Sequence, residues 1–121
     1  MDTEAESWKN STFAAQMKLQ GLPHKTALMG KYLNSHNQFC GNMASPVPPG
    51  WDHFFALCTD GAYFNQTFNV NGKEAVMDGY TTSVIGNETL RWLQETVQGG
   101  DPFMMYIAPH APHIADEVYP Y

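Results

Sequence analysis

The chain has 121 residues, of which 43% are hydrophobic and only 15% are charged. This composition is typical of a folded domain and excludes a disordered tail. Twelve acidic against six basic residues give a formal net charge of -6, which argues against nucleic-acid phosphates or an anionic membrane surface as the main partner. An anionic small substrate is compatible with this charge, because one cation in a pocket can outweigh a distant net charge.

Targeting and modification signals are few. The residues after Met1, DTEAES, are acidic and polar, so we predict no signal peptide and, in the absence of a long apolar run, no membrane span. Asn-X-Ser/Thr triplets permit N-glycosylation in a secretory compartment and occur at Asn10, Asn65 and Asn87.

Two cysteines, Cys40 and Cys58, allow one disulfide bond at most. They could pair in an oxidising compartment or remain free thiols, since the sequence does not give their separation in space. Their spacing is not a metal-binding motif.

The first predicted element is a short helix. Ser11 or Thr12 can cap it, Phe13 and Met17 are its apolar residues, and it ends near Gly21.

A short apolar strand is predicted over Thr26 to Met29. It breaks at Gly30 and presents Lys31 at its carboxyl end. From residue 34 to 50 the composition shifts to Asn, Ser, Gly and Pro, which indicates a long irregular surface segment. The aromatic residues that follow it, Trp51, Phe54 and Phe55, are interpreted as core.

A β-hairpin is predicted in the segment AYFNQTFNVNGKE. Phe64, Phe68 and Val70 alternate with polar residues, and the run reaches Asn71-Gly72. A type I′ turn needs positive φ at two successive residues, which Asn-Gly tolerates.

An amphipathic helix and a strand close the predicted fold. Ile85, Trp92 and Val97 recur at helical spacing, Asn87 falls near the exposed side, and Gly99-Gly100 supplies the stop. The continuous apolar run 103–108 then predicts a strand covered on both faces. A helix leading into such a strand is half of a βαβ unit, so we predict an α/β fold.

Two groups of chemistry-bearing residues follow predicted strands. Lys31 follows the first strand, and His110 and His113 follow the last. Ligands of open α/β sheets bind beyond the carboxyl ends of the strands, so these residues are expected at one rim.

The ordered segments of the chain resemble the sulfatase family, and are most similar to its N-acetylglucosamine-6-sulfatase and extracellular heparan endosulfatase branch. The resemblance spans nearly the whole chain and is carried by SWKNSTFAAQMKLQG, TALMGKYLN, VPPGWDHFFAL, YFNQTFNVNGKE and PFMMYIAPHAPH. It implies an alkaline-phosphatase-like α/β fold with an incomplete central sheet, flanking helices and a β-hairpin. Residues 1–121 would then form part of the amino-terminal catalytic domain.

The resemblance implies a sulfuric ester hydrolase that acts on sulfated sugars or glycosaminoglycans and is lysosomal or secreted. Lys31 matches the family lysine that contacts the sulfate, and His113 matches the family histidine near the leaving oxygen. His110 lies at a less uniform position and receives no role. Leu33 stands where arylsulfatases have a histidine, as in the glucosamine-6-sulfatase branch.

The family's cofactors are calcium and a formylglycine made from a cysteine in a Cys-x-Pro-x-Arg motif. Cys40 is followed by GNMA and Cys58 by TDGA, so neither matches that motif, and the calcium-binding segments are also missing. We therefore interpret the chain as an internal fragment of a sulfatase that is inactive alone, because positioning cannot replace the attacking group and the metal.

Other interpretations remain open at this stage. Taken alone, Lys31 is more simply a solvated lysine at a strand end, and His113 a loop histidine bonded to backbone. A zinc half-site at His110 and His113 lacks further ligands nearby in the sequence. The alternatives to a hydrolase are a non-catalytic fragment or pseudoenzyme that binds sulfated glycans, and an unrelated α/β binding domain.

Overall fold

The computed structural model describes residues 4–33, 40, 47–58 and 63–113. Within this part of the chain, one sheet is accompanied by two α-helices and a 3-10 helix. The elements in order are a 3-10 helix Glu4–Ser11, α1 Phe13–Leu19, β1 Lys25–Gly30, β2 His53–Leu57, β3 Thr67–Val70, β4 Lys73–Val76, α2 Thr81–Gly99 and β5 Phe103–Ala108. No helix in the described ranges has the length and apolar character needed to cross a membrane.

The sheet has five strands in the order β4-β3-β2-β1-β5. β1 pairs in parallel with both β2 and β5, whereas β3 pairs antiparallel with both β2 and β4. The sheet is therefore open and mixed, with a parallel part that carries the β1–α2–β5 crossover. This confirms the predicted α/β fold with an attached hairpin.

The core lies on both faces of the sheet. On one face, Ile85 and Trp92 of α2 pack against side chains from the strands, namely Ala27, Met29, Phe55, Leu57 and Phe68. On the other face, Leu28, Phe54 and Ala56 are covered by Tyr32, Val47 and Trp51. β2 lies between these layers, and all five of its residues are buried.

Helix α1 begins where predicted, because the Thr12 hydroxyl accepts a hydrogen bond from the Ala15 amide at 3.2 Å. Phe13 is 52% exposed, whereas Ala14 and Ala15 are buried. The helix backbone runs so close to Gly50 that a Cβ atom there would lie 2.2 Å from the Ala15 nitrogen, so only small side chains fit on this side.

The Asn-Gly hairpin is confirmed. Asn71 and Gly72 have φ values of 51° and 95°, and they connect β3 to β4. The turn is also tied to β2, since the Asn71 side-chain oxygen accepts from the Phe54 amide at 2.7 Å. One polar residue of β3 also lies in the core. Asn69 is fully buried, and its side-chain oxygen accepts a hydrogen bond from the Gly72 amide at 2.8 Å.

Helix α2 and strand β5 are confirmed as elements, with corrections to their burial. Asn87 is exposed as predicted, but Val97 in the last turn is 59% exposed and lies outside the core. β5 was predicted to be covered on both faces, yet Tyr106 and Ile107 are 46% and 50% exposed. β5 is the edge strand of the sheet, so its side chains have strand neighbours on one side only.

A disulfide bond joins Cys40 to Cys58, with their Cα atoms 5.7 Å apart. This answers the question that the sequence left open. Cys58 directly follows β2 and is 4% exposed. The bond therefore joins Cys40 to the carboxyl end of the central strand, and it is typical of proteins that fold in an oxidising compartment.

Gly30, the last residue of β1, lies in close contact with the end of β5. It has φ 111°, and a Cβ atom at this position would lie 2.0 Å from the Ala108 carbonyl oxygen. The next residue continues the contact, because the Lys31 amide donates to the same oxygen at 2.8 Å. Any side chain at residue 30 would therefore push the two strand ends apart.

We expect Gly30→Ala to lower the free energy of unfolding by about 3 kcal/mol, since the methyl group meets backbone and the φ value is strained for alanine. Gly86→Ala is the matched control. Gly86 lies in α2 with open space around its Cα, so alanine there should raise the free energy of unfolding by up to about 1 kcal/mol. Urea denaturation followed by circular dichroism measures both, and equal stability of Gly30→Ala and the wild type would contradict the close contact.

We expect replacement of both cysteines by serine to lower the free energy of unfolding by about 3 kcal/mol, because the closed loop joins residues 18 positions apart. Dithiothreitol should destabilise the wild type by a similar amount and leave the double variant unchanged. Two thiols that react freely in the native, unreduced protein would show that the bond is not formed.

Candidate active site

The carboxyl ends of three parallel strands meet at one edge of the sheet. Lys31 follows β1, Cys58 follows β2, and the segment 109–113 follows β5. We call this edge the carboxyl rim and define it by Lys31, Cys58, His110 and His113. β1 and β5 pair in parallel, so their carboxyl ends lie side by side. This confirms the prediction that Lys31 and the two histidines follow strands that end at the same rim.

Backbone contacts hold the two sides of the rim together. The register pairs Gly30 with Ala108, the last residues of β1 and β5. The Lys31 amide donates to the Ala108 carbonyl oxygen at 2.8 Å. The lysine therefore starts directly beside the point at which the histidine segment leaves the sheet.

The two histidines after β5 are stacked. Their ring centroids lie 4.9 Å apart with an interplanar angle of 27°, and the His113 amide donates to the His110 carbonyl oxygen at 2.9 Å. His110 is 5% exposed, whereas His113 is exposed. Between them, the Ala111–Pro112 peptide bond is cis. The inner histidine thus supports the outer one, which faces the solvent side of the rim.

Tyr63 joins this group from the segment before β3. Its hydroxyl donates to the His113 carbonyl oxygen, and its ring centroid lies 5.1 Å from that of His110. No sequence pattern singles out Tyr63, because its neighbours in the chain are those of an ordinary hairpin arm. Only the contact across the fold identifies it.

Metal-ligand geometry is absent from the described part of the rim. In stacked imidazoles the nitrogen lone pairs lie in nearly parallel planes, so they do not converge on one ion as zinc ligands must. The one group of three His, Cys, Asp or Glu ligand atoms found close together in the described residues is Cys40, Cys58 and Glu74. Its two sulfurs are bonded to each other, so neither is a thiolate.

A cluster of ionisable side chains lies at the amino-terminal end of β2, opposite the carboxyl rim. His53, the first residue of β2, has Nδ1 at 3.0 Å from the side-chain nitrogen of Asn71 and Nε2 at 2.9 Å from the Glu88 carboxylate. Arg91 bridges Glu88 and Glu95 on the surface of α2. The His53 ring also stacks on Trp92, at a centroid distance of 6.3 Å.

Burial and charge shift the pKa values of this cluster. Burial lowers the pKa of His53, and this outweighs the attraction of Glu88 for the protonated ring. Burial alone would raise the pKa of Glu88, but Arg91 and His53 overcome it and lower the pKa. His53 is therefore neutral near pH 7, and Glu88 is ionised.

The three asparagines of the glycosylation triplets all lie on the surface. Asn10 is in the 3-10 helix, Asn65 precedes β3 with φ 55°, and Asn87 is on α2. Their exposure is compatible with modification, and their occupancy stays a prediction.

The rim and the open sheet define an α/β domain with a candidate ligand site at the carboxyl ends of its strands. No protein-family model matches the chain. The chain is 32% identical over 118 residues to human N-acetylglucosamine-6-sulfatase, covering 90% of this chain and 21% of that protein. It is 27% identical over 109 residues to the extracellular sulfatase SULF-1 homolog of Drosophila melanogaster, covering 84% of this chain and 9% of that protein.

The fold has a solved counterpart. The structure of BT4656 in complex with its substrate D-glucosamine-2-N,6-O-disulfate matches with a TM-score of 0.59 and 33% identity, over 78% of this chain and 18% of that one. The chain belongs to the sulfatase family. It spans about one fifth of the length of the N-acetylglucosamine-6-sulfatases it matches.

We expect the free energy of unfolding to fall as the pH drops from 7.5 to 5, because unfolded histidine binds its proton near pH 6.5 while folded His53 does so only at lower pH. Glu88, whose pKa is also lowered, adds a loss that begins only near pH 4.5. Urea denaturation at several pH values measures this dependence.

His53→Gln should flatten the dependence between pH 7.5 and 5 relative to the wild type. His53→Gln retaining the full pH dependence would contradict the assignment to His53.

Proposed function

We propose that this chain contributes the lysine and histidine of a site that hydrolyses sulfate esters of sugars. The observation that carries the proposal is the parallel pairing of β1 with β5, which brings the segments that bear Lys31 and His113 to one edge of the sheet. The sulfatase relatives supply the reaction class, since they include N-acetylglucosamine-6-sulfatases and a protein whose substrate is a glucosamine disulfate.

Each of the two side chains has a distinct role in this proposal. During sulfuryl transfer, negative charge spreads over the non-bridging oxygens, and the Lys31 ammonium stabilises it where it accumulates. A sugar alkoxide is a poor leaving group, so the His113 imidazolium donates a proton to the departing oxygen.

The cofactors of the family do not fit the described residues. Cys40 and Cys58 are bonded to each other, so neither is available for conversion to formylglycine. Calcium requires several oxygen ligands, and no cluster of three or more carboxylates is found in the described ranges. We therefore infer that formylglycine and calcium belong to other parts of a larger sulfatase, and that this chain alone does not turn over substrate.

The proposed substrate is a glycosaminoglycan or a smaller sugar with a 6-sulfated glucosamine. The proposed location is the lysosome or the extracellular space, which agrees with the disulfide bond and with an extracellular sulfatase among the relatives. N-glycosylation at Asn10, Asn65 and Asn87 belongs to the same proposal.

The test replaces the matching segment of human N-acetylglucosamine-6-sulfatase by this chain and measures sulfate release from N-acetylglucosamine 6-sulfate. We expect the hybrid enzyme to turn over, and we expect Lys31→Ala and His113→Ala each to lower kcat by about 10² to 10⁴. Lys73→Ala and His24→Gln are the controls. Lys73 is an exposed hairpin residue and His24 precedes β1, so kcat should stay within about twofold.

Two results would contradict the proposal. One is a hybrid that folds and carries formylglycine but releases no sulfate; the other is a Lys31→Ala hybrid with full activity. Weak binding of the sulfated sugar by the 121-residue chain, lost in Lys31→Ala, together with an inactive hybrid would instead favour a non-catalytic glycan-binding role.

A further inference from the structure

Four aromatic rings form a continuous series from the start of α2 to the rim. Tyr80 stacks on Tyr63 at 6.4 Å between centroids, Tyr63 lies 5.1 Å from His110, and His110 lies 4.9 Å from His113. We call these residues the ring series. Exposure is not uniform along it, because His110 is 5% exposed while Tyr80 is 40% exposed.

We propose that Tyr63 and His110 are positioning residues that hold the His113 imidazole at the rim. Neither matches a residue to which the family resemblance assigns a role, and neither needs to touch the sugar. Their function is to fix a side chain that stands on a loop and faces solvent.

The backbone of His113 is held at two points. Its amide donates to the His110 carbonyl oxygen at 2.9 Å, and its own carbonyl oxygen accepts the Tyr63 hydroxyl. Two hydrogen bonds on opposite sides of one residue restrict both of its peptide groups. The exposed His113 is therefore tied to the segment that carries Tyr63 as well as to its own loop.

The ring of His113 is supported from within. It stacks on His110, which is buried and is itself in contact with the Tyr63 ring. Tyr63 is fixed in turn, because its carbonyl oxygen accepts the Thr81 amide at 2.7 Å at the first residue of α2. A chain of contacts therefore connects the amino-terminal end of α2 to the His113 imidazole through the rings of Tyr63 and His110.

Such support has a chemical reason. A proton donor must meet the leaving oxygen within hydrogen-bond distance, and a displacement of about 1 Å can cost on the order of 10²-fold in rate. A histidine on an unsupported loop would sample many rotamers. The catalytic consequence of the ring series rests on the proposed function, whereas the positioning of His113 does not.

The test uses the 121-residue chain labelled with ¹³C in its histidines and measures the ring signals by NMR. Tyr63→Phe keeps the ring and removes the donated hydrogen bond, while His110→Leu removes the stacked ring. We expect the His113 ring signals to shift in both variants, and the NOE between the His110 and His113 rings to weaken in Tyr63→Phe. Tyr106→Phe is the matched control, because this tyrosine lies on β5 and 46% of its surface is exposed.

His24 and His53 serve as internal controls, since they lie before β1 and at the opposite edge of the sheet. General unfolding would move their signals together with those of His113, whereas loss of positioning moves the signals of His113 and its stacked partner His110 and leaves those of His24 and His53 in place. Unchanged His113 signals in both Tyr63→Phe and His110→Leu would overturn the proposal. So would shifts no larger than those of His24 and His53.

The outcome is separable from that of the proposed function. If His113 responds to both variants but the hybrid sulfatase releases no sulfate, the positioning stands and the hydrolase role fails. The hybrid could instead be active and depend on His113 while the His113 ring signals are unchanged in Tyr63→Phe and His110→Leu. In that case the ring series has no positioning role.

Discussion

The distance between the ends of β1 and β5 is the constraint on which the candidate site depends. Gly30 brings its Cα close enough to the Ala108 carbonyl that no side chain fits between them, and the Lys31 amide then bonds to the same oxygen. The lysine and the histidine segment therefore leave the sheet side by side. A wider separation of the strand ends would keep the fold but move the two sides of the rim apart.

The two edges of the sheet have different physical characters. At the carboxyl rim, aromatic and imidazole rings stack around an exposed histidine, and backbone hydrogen bonds hold the segments. At the amino-terminal end of β2, the neutral His53 ring lies against the ionised Glu88 carboxylate, which Arg91 pairs with on the surface of α2. The pKa shifts of His53 and Glu88 thus affect the free energy of unfolding and not the chemistry at the carboxyl rim, because both residues lie at the amino-terminal end of β2.

The elements that were predicted correctly are those defined by local signals. The Asn71-Gly72 turn, the Thr12 cap and the end of α2 at Gly99 each follow from a few neighbouring residues and their backbone preferences. Lys31 and His113 were placed at one edge because parallel strands end together. These inferences needed no knowledge of distant contacts.

The features that could not be predicted from the sequence depend on residues that are distant in the chain. Phe54 and Phe55 were interpreted as core but not as part of a strand, since a short apolar run has no period that distinguishes strand from buried helix. The exposure of Ile107 follows from the place of β5 at the edge, which only the strand order reveals. Tyr63 became visible only through its contacts with His110 and His113.

The same β1–β5 pairing has a consequence for how the chain reaches its native state. The hairpin β3–β4 joins residues that are neighbours in sequence. The β1–β5 pair joins the first and last of the described strands, so all the other described strands lie between them in the sequence. The entropy lost on closing a loop grows with its length, and contacts of large sequence separation slow folding. The contact that assembles the rim therefore carries the largest closure cost in the sheet, and an intact rim reports that the whole topology has formed.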